Sequence, residues 1–208
     1  MKEELVAEIF TKHLPENAVD YCLSLWKEKP FHLKVTKSRQ SKVGDFTSRH
    51  DAAHPRITLN KDLNLYAFLL TYIHEVAHWH VFMRYGNKVD PHGDHWKEAF
   101  QQLMQPLLTV NIFPDDILLP LSQHMINPKA SSFADSVLTR ALRKYDDNHH
   151  QAIVLSELPE GSIFQLQGRY FTKGKLRRTR ILCKEYKGRK QYLVPADALV
   201  SNVQLSLL

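Results

Sequence analysis

Apolar positions along the chain follow two periods, and the longest helical one centres on residues 65–83. Leu65, Leu69, Tyr72, Ile73, Val76 and Met83 fall on one stripe of a long helix, with Asp62 or Asn64 able to cap its start and Gly86-Asn87 closing its end. Shorter amphipathic helices are predicted at Glu3–Phe10 and Glu16–Trp26, the second with Pro15 in its first turn. Between them and the long helix, Phe31–Thr36 and Arg56–Asn60 alternate apolar and polar residues around the turn-forming segment 41–51. This predicts two or three antiparallel strands. Beyond the long helix, a Pro91-His92-Gly93 loop leads into a helix at about His95–Leu103. Residues 107–128 carry Pro114, Pro120 and Pro128, which divide them into short helical pieces. From Ala152 the period changes to two, giving four short antiparallel strands: 163–166, 169–171, 176–183 and 191–194. Turns are expected at Gly168, Lys173-Gly174-Lys175 and Gly188. The class is therefore α+β with a small antiparallel sheet, followed by a small all-β module. The divisions are 1–128 for the first domain, 129–151 for a linker or helical connector, and 152–208 for the module.

Charge sharpens this division. The net charge is +6, yet residues 1–128 hold 14 Lys and Arg against 15 Asp and Glu, whereas residues 129–208 hold 14 against 7. The basic excess belongs to the module. Cys22 and Cys183 are far apart and form no Cys-x-x-Cys pair, which argues against a disulfide framework or a thiolate metal site and for two reduced thiols. No signal-like start and no apolar run of membrane-spanning length is present. The expectation is a soluble cytoplasmic protein, free or nucleoid-associated, without membrane partners.

The long helix also carries the chemistry. It contains His74-Glu75-Val76-Ala77-His78, and residues four apart on a helix lie one above the other. His74 and His78 can thus offer two imidazole nitrogens to one metal, while Glu75 stands beside them as a general base rather than a ligand. A catalytic zinc site needs a third protein ligand and an open position. His92, His95 and Glu98 all lie within reach downstream, and spacing leaves all three open. His80 is excluded as a partner of His78, since residues two apart point in different directions.

The pairing of His74-Glu75-Val76-Ala77-His78 with Pro91-His92-Gly93-Asp94-His95-Trp96 resembles the SprT-like metalloprotease family, which includes the Spartan proteases. Gly44-Asp45-Phe46 and Arg56–Asn60 are similar to that family's strand pair. The resemblance covers about residues 30–105. It implies a zincin-like zinc metallopeptidase domain within 1–128, His92 as the third zinc ligand, and Trp96 packed behind it. Many relatives carry a four-cysteine zinc ribbon after the protease domain; with two cysteines, this chain does not.

The basic module takes the ribbon's place. Residues 169–190 hold ten Lys and Arg against the single acidic Glu185, interleaved with Tyr170, Phe171 and Tyr186. Alternation along an expected strand from Leu176 puts Arg178 and Arg180 on one face and Arg177 on the other. Lys173, Lys175, Arg177, Arg178 and Arg180 are the candidate contacts to a DNA or RNA backbone. Two readings follow. One is a zinc metalloendopeptidase acting on DNA-associated or DNA-crosslinked proteins, and the other a nucleic-acid-binding protein whose zinc is structural.

Overall fold

A computed structural model describes residues 1–39, 42–48, 55–131, 135–146 and 152–202. The chain forms two compact units, Met1–Asp146 and Asp147–Leu208, each with its own apolar core. The segment 41–51 lies partly outside the described residues. Among the described residues, no helix is long and apolar enough to cross a membrane.

Among its described residues the first unit has six α-helices: α1 (Glu3–His13), α2 (Val19–Glu28), α3 (Leu65–Tyr85), α4 (Asp94–Met104), α5 (Asp115–Ile126) and α6 (Ser136–Arg143). Its sheet contains β1 (His32–Thr36), β2 (Gly44–Thr47) and β3 (Arg56–Asn60) in the order β1-β3-β2. The sheet is mixed, not antiparallel as alternation suggested. β2 pairs antiparallel with β3, but β1 runs parallel to β3, because the chain reverses at β2 and reverses again before entering the centre of the sheet. Both outer strands are edges, and β2 is the one beside α3.

α3 lies at the centre of this unit. Its buried surface extends well beyond one stripe: Ala67 to Ile73, Glu75 to Ala77, Trp79 and Val81 are all buried. Leu65 and Met83, expected inside, are 43% and 53% exposed because they sit at the two ends, past the elements that cover the helix. A helix apolar nearly all round belongs in an interior, here with α4 packed on it as well as β2 and β3. Asn64 supplies the cap, its Oδ1 accepting from the backbone N–H groups of Tyr66 and Ala67. The Asn64 amide also donates to the Leu142 carbonyl at 2.9 Å and to Asp146 at 2.6 Å, tying the start of α3 to the end of α6. α6 falls inside the stretch read as a connector, yet its Leu138, Ala141 and Leu142 belong to the first core.

The second unit is one six-stranded antiparallel sheet: β4 (Ala152–Val154), β5 (Ile163–Leu166), β6 (Arg169–Arg177), β7 (Arg180–Glu185), β8 (Gln191–Pro195) and β9 (Leu199–Asn202). Their order is β4-β9-β5-β6-β7-β8. Two strands lie outside the four expected. The turn expected at Gly174 is also displaced: β6 runs through Gly174 with a register shift between Lys173 and Leu176, and the chain reverses at Arg178-Thr179. At Gly174 a side chain would strike the Leu182 carbonyl, so this glycine serves close strand approach at a bulge rather than a turn. Arg178 takes a φ of 56°, an uncommon conformation for a residue with a Cβ.

Replacing Asn64 by alanine removes the cap and two further side-chain hydrogen bonds. The expected cost is about 1–3 kcal/mol, read as a fall of several degrees in Tm of the first unit. An unchanged Tm contradicts the role of Asn64 as the tie between α3 and α6.

Candidate metal centre

Three histidines converge where α3 meets the loop before α4. The Nε2 atoms of His74 and His78 are 3.1 Å apart, those of His78 and His92 3.0 Å, and those of His92 and His74 3.3 Å. The first two come from one face of α3. The third is delivered by a tight turn in which the Gly93 N–H donates to the Asp90 carbonyl, immediately before Gly93 opens α4. Beneath them Trp96 is fully buried, with its ring 4.7, 5.5 and 4.8 Å from those of His74, His78 and His92. Its indole N–H donates to the His74 carbonyl, and Phe100 stacks on Trp96 while also lying edge-on to the His74 ring.

The other two candidate ligands are held elsewhere. The His95 ring stacks on Tyr85, with centroids 4.3 Å apart, and Glu98 accepts from Gln102 along its own helix.

The donor set fits a zinc-sized cation. Tetrahedral Zn–N bonds of about 2.0–2.1 Å separate the nitrogens by about 3.3–3.4 Å, close to what the three imidazoles show. Burial, and then the neighbouring imidazoles, push His74 down to about 3; burial and then His92 push His78 down to about 4. Burial lowers His92 as well. All three shifts favour the neutral imidazole, the protonation state that binds a metal.

Glu75 follows His74 but turns toward the sheet. It is 6% exposed, and burial pushes its carboxyl up to about 8, opposed by the backbone N–H of Phe46 in β2. A divalent cation at the histidines would draw it back down. Outside lies a cleft of about 680 Å³ lined by Gly44, Phe46, Phe82, Val89 and Pro91 together with the histidines and Glu75. Lys42 and Asp45 form an ion pair at its rim, 2.8 Å apart. Gly44 and Phe46, the strand residues nearest Glu75, carry no metal-ligand or acid–base signature, so nothing in their spacing marks them as part of the site.

Residues 12–114 match the SprT-like family. Through them the chain belongs to that family. The match holds all three histidines, Glu75 and β2. No curated protein and no solved structure matches the chain.

The basic residues of the second unit divide into two sets. Lys173 donates to the carbonyls of Ser156 and Leu158, and Arg169 bonds Glu185 and Tyr192 while lying over the Phe171 and Tyr192 rings. Lys175, Arg177, Arg178 and Arg180 are exposed and, among the described residues, form no ion pair. Because the chain turns at Arg178-Thr179, Arg177 and Arg180 face each other across the hairpin and share a face of the sheet, rather than lying on opposite faces of one strand.

The protein should bind one equivalent of zinc through these three histidines. The His92→Ala variant should lose at least tenfold in zinc affinity, by competition with a chromophoric chelator, while His95→Ala binds like the parent. Equal loss in both variants contradicts the assignment of His92.

Proposed function

We propose that this chain is a zinc-dependent metalloendopeptidase acting on DNA-associated or DNA-crosslinked proteins. The observation that carries the hydrolytic part is the convergence of three imidazole nitrogens with the buried Glu75 carboxylate beside them, at the floor of an open cleft. Three protein ligands leave a coordination position for water and substrate, which a closed structural site does not. His74, His78 and His92 would hold a zinc ion, which would supply Lewis acidity and lower the pKa of a bound water.

The chain's own part is proton handling and positioning. Glu75 takes the proton from the attacking water and passes it to the departing amine, and its exclusion from bulk solvent keeps that proton local. Among the described residues β2 is an edge strand of its sheet, able to receive an extended peptide along the cleft in the zincin-like manner. The apolar wall of Phe46, Phe82 and Val89 suits the side chains of an unfolded segment better than a folded surface.

The DNA part is carried by the second unit. Lys175, Arg177, Arg178 and Arg180 form an unneutralised group at one hairpin, and Tyr170, 45% exposed, is available for stacking on a base. Lys173 drops out of this surface because its ammonium is engaged by two carbonyls.

Glu75→Gln should lower cleavage of a DNA-bound protein substrate by roughly 10²–10⁴-fold with zinc content unchanged. Cleavage at the parent rate contradicts the proposed role, and absence of cleavage by the parent with and without DNA favours a nucleic-acid-binding protein with structural zinc. Replacing Arg177, Arg178 and Arg180 by alanine should weaken DNA binding and flatten the slope of log K against log salt by about 2–3. A parent affinity insensitive to salt removes the DNA role from this hairpin.

A further inference from the structure

Glu75 is held by a strand that approaches α3 too closely to carry a side chain at one position. A Cβ added to Gly44 would lie 2.5 Å from Glu75 Oε1, 3.0 Å from Glu75 Cγ and 2.5 Å from Thr71 Cγ2. The φ of Gly44 is not in the left-handed region, so backbone freedom is not what this position requires; space is. Two residues on, the Phe46 backbone N–H is turned away from β3 and lies near enough to the same carboxylate to favour its charged form. The register explains the direction. Asn60 N–H donates to the Val43 carbonyl, so Val43 and Asp45 turn their backbone groups to β3, while Gly44 and Phe46 turn theirs away from it. The Phe46 ring fixes the strand in place, packed 5.8 Å from Trp79 and 5.7 Å from Phe82 on α3.

We infer that Gly44 and Phe46 are positioning residues for Glu75: the missing side chain at 44 lets β2 close on the helix, and the Phe46 N–H then fixes the carboxylate beside the histidines. This deepens the peptidase reading above and rests on it. Neither residue touches the three imidazole nitrogens. Their effect reaches the chemistry only through Glu75, whose displacement by about 1 Å is enough to cost roughly 10²-fold in rate.

The two clashes at Gly44 allow catalysis and folding to be separated. Gly44→Ala should lower kcat for peptide cleavage by roughly 10²-fold, with KM changed far less, zinc content intact and Tm reduced. Thr71→Ser removes the Cγ2 atom and nothing at Glu75. Gly44→Ala/Thr71→Ser should therefore recover Tm while kcat stays low. Amide hydrogen exchange provides a readout independent of activity. The Phe46 amide faces outward on an edge strand, so its protection depends on Glu75; exchange should quicken at least tenfold in Glu75→Ala and in Gly44→Ala, with the Asp45 amide unchanged in Glu75→Ala. A Gly44→Ala enzyme with the parent kcat, a kcat that returns together with Tm in the double variant, or a Phe46 amide indifferent to Glu75→Ala would each overturn the inference. A parent protein that cleaves nothing while the Phe46 amide responds as described leaves the contact standing and removes the peptidase reading instead.

Discussion

Three imidazole lone pairs aimed at one point repel one another, and the first unit is arranged to hold them there. His74 and His78 are brought together by helix geometry alone, but a helix cannot supply a third nitrogen on the same side at the same height. The chain must leave α3, reverse within a few residues and return. Gly86 ends the helix, the Asp90–Gly93 turn aims His92 back, and α4 begins immediately, so that Trp96 slides beneath all three rings. A cation at the convergence point turns that repulsion into three bonds. The burial that depresses the His74 and His78 pKa values keeps the nitrogens unprotonated and ready for it.

The same constraint accounts for the surroundings. A helix carrying polar ligands on one face and apolar residues on the others has to be enclosed, and α3 is covered by α4 as well as by β2 and β3. Glu75 faces the sheet, where a charged carboxylate is costly. Its burial is tolerated because the site supplies a backbone donor and, when loaded, a cation. The strand that provides the donor is also an edge of its sheet among the described residues.

Much of this was legible in the residues. Asn64, the α3 period, the i,i+4 histidines and Gly86 define the helix and two ligands without reference to anything else. His92 was open against His95 and Glu98 on spacing, because spacing does not say which way a loop side chain turns; its place between Pro91 and Gly93 weighted it, and the resemblance to SprT-like sequences selected it. The parallel pairing of β1 with β3 was not legible, since alternation reports which face is buried and not which neighbour a strand takes. At the second unit the hairpin turn was misplaced because Arg178-Thr179 lacks the residues that usually mark a reversal, while Gly174, which looks like a turn residue, accommodates a neighbouring carbonyl at a bulge. Lys173 illustrates a related limit: its charge was visible, but its engagement with two backbone carbonyls was not.

The central claim is an open three-histidine metal site rather than a closed one, and coordination at the metal tests it most directly. X-ray absorption on the zinc-loaded protein should show three imidazole nitrogens at about 2.0–2.1 Å and one exchangeable water oxygen completing the shell. A shell of four protein ligands, a sulfur scatterer, or fewer than three imidazoles would contradict the account.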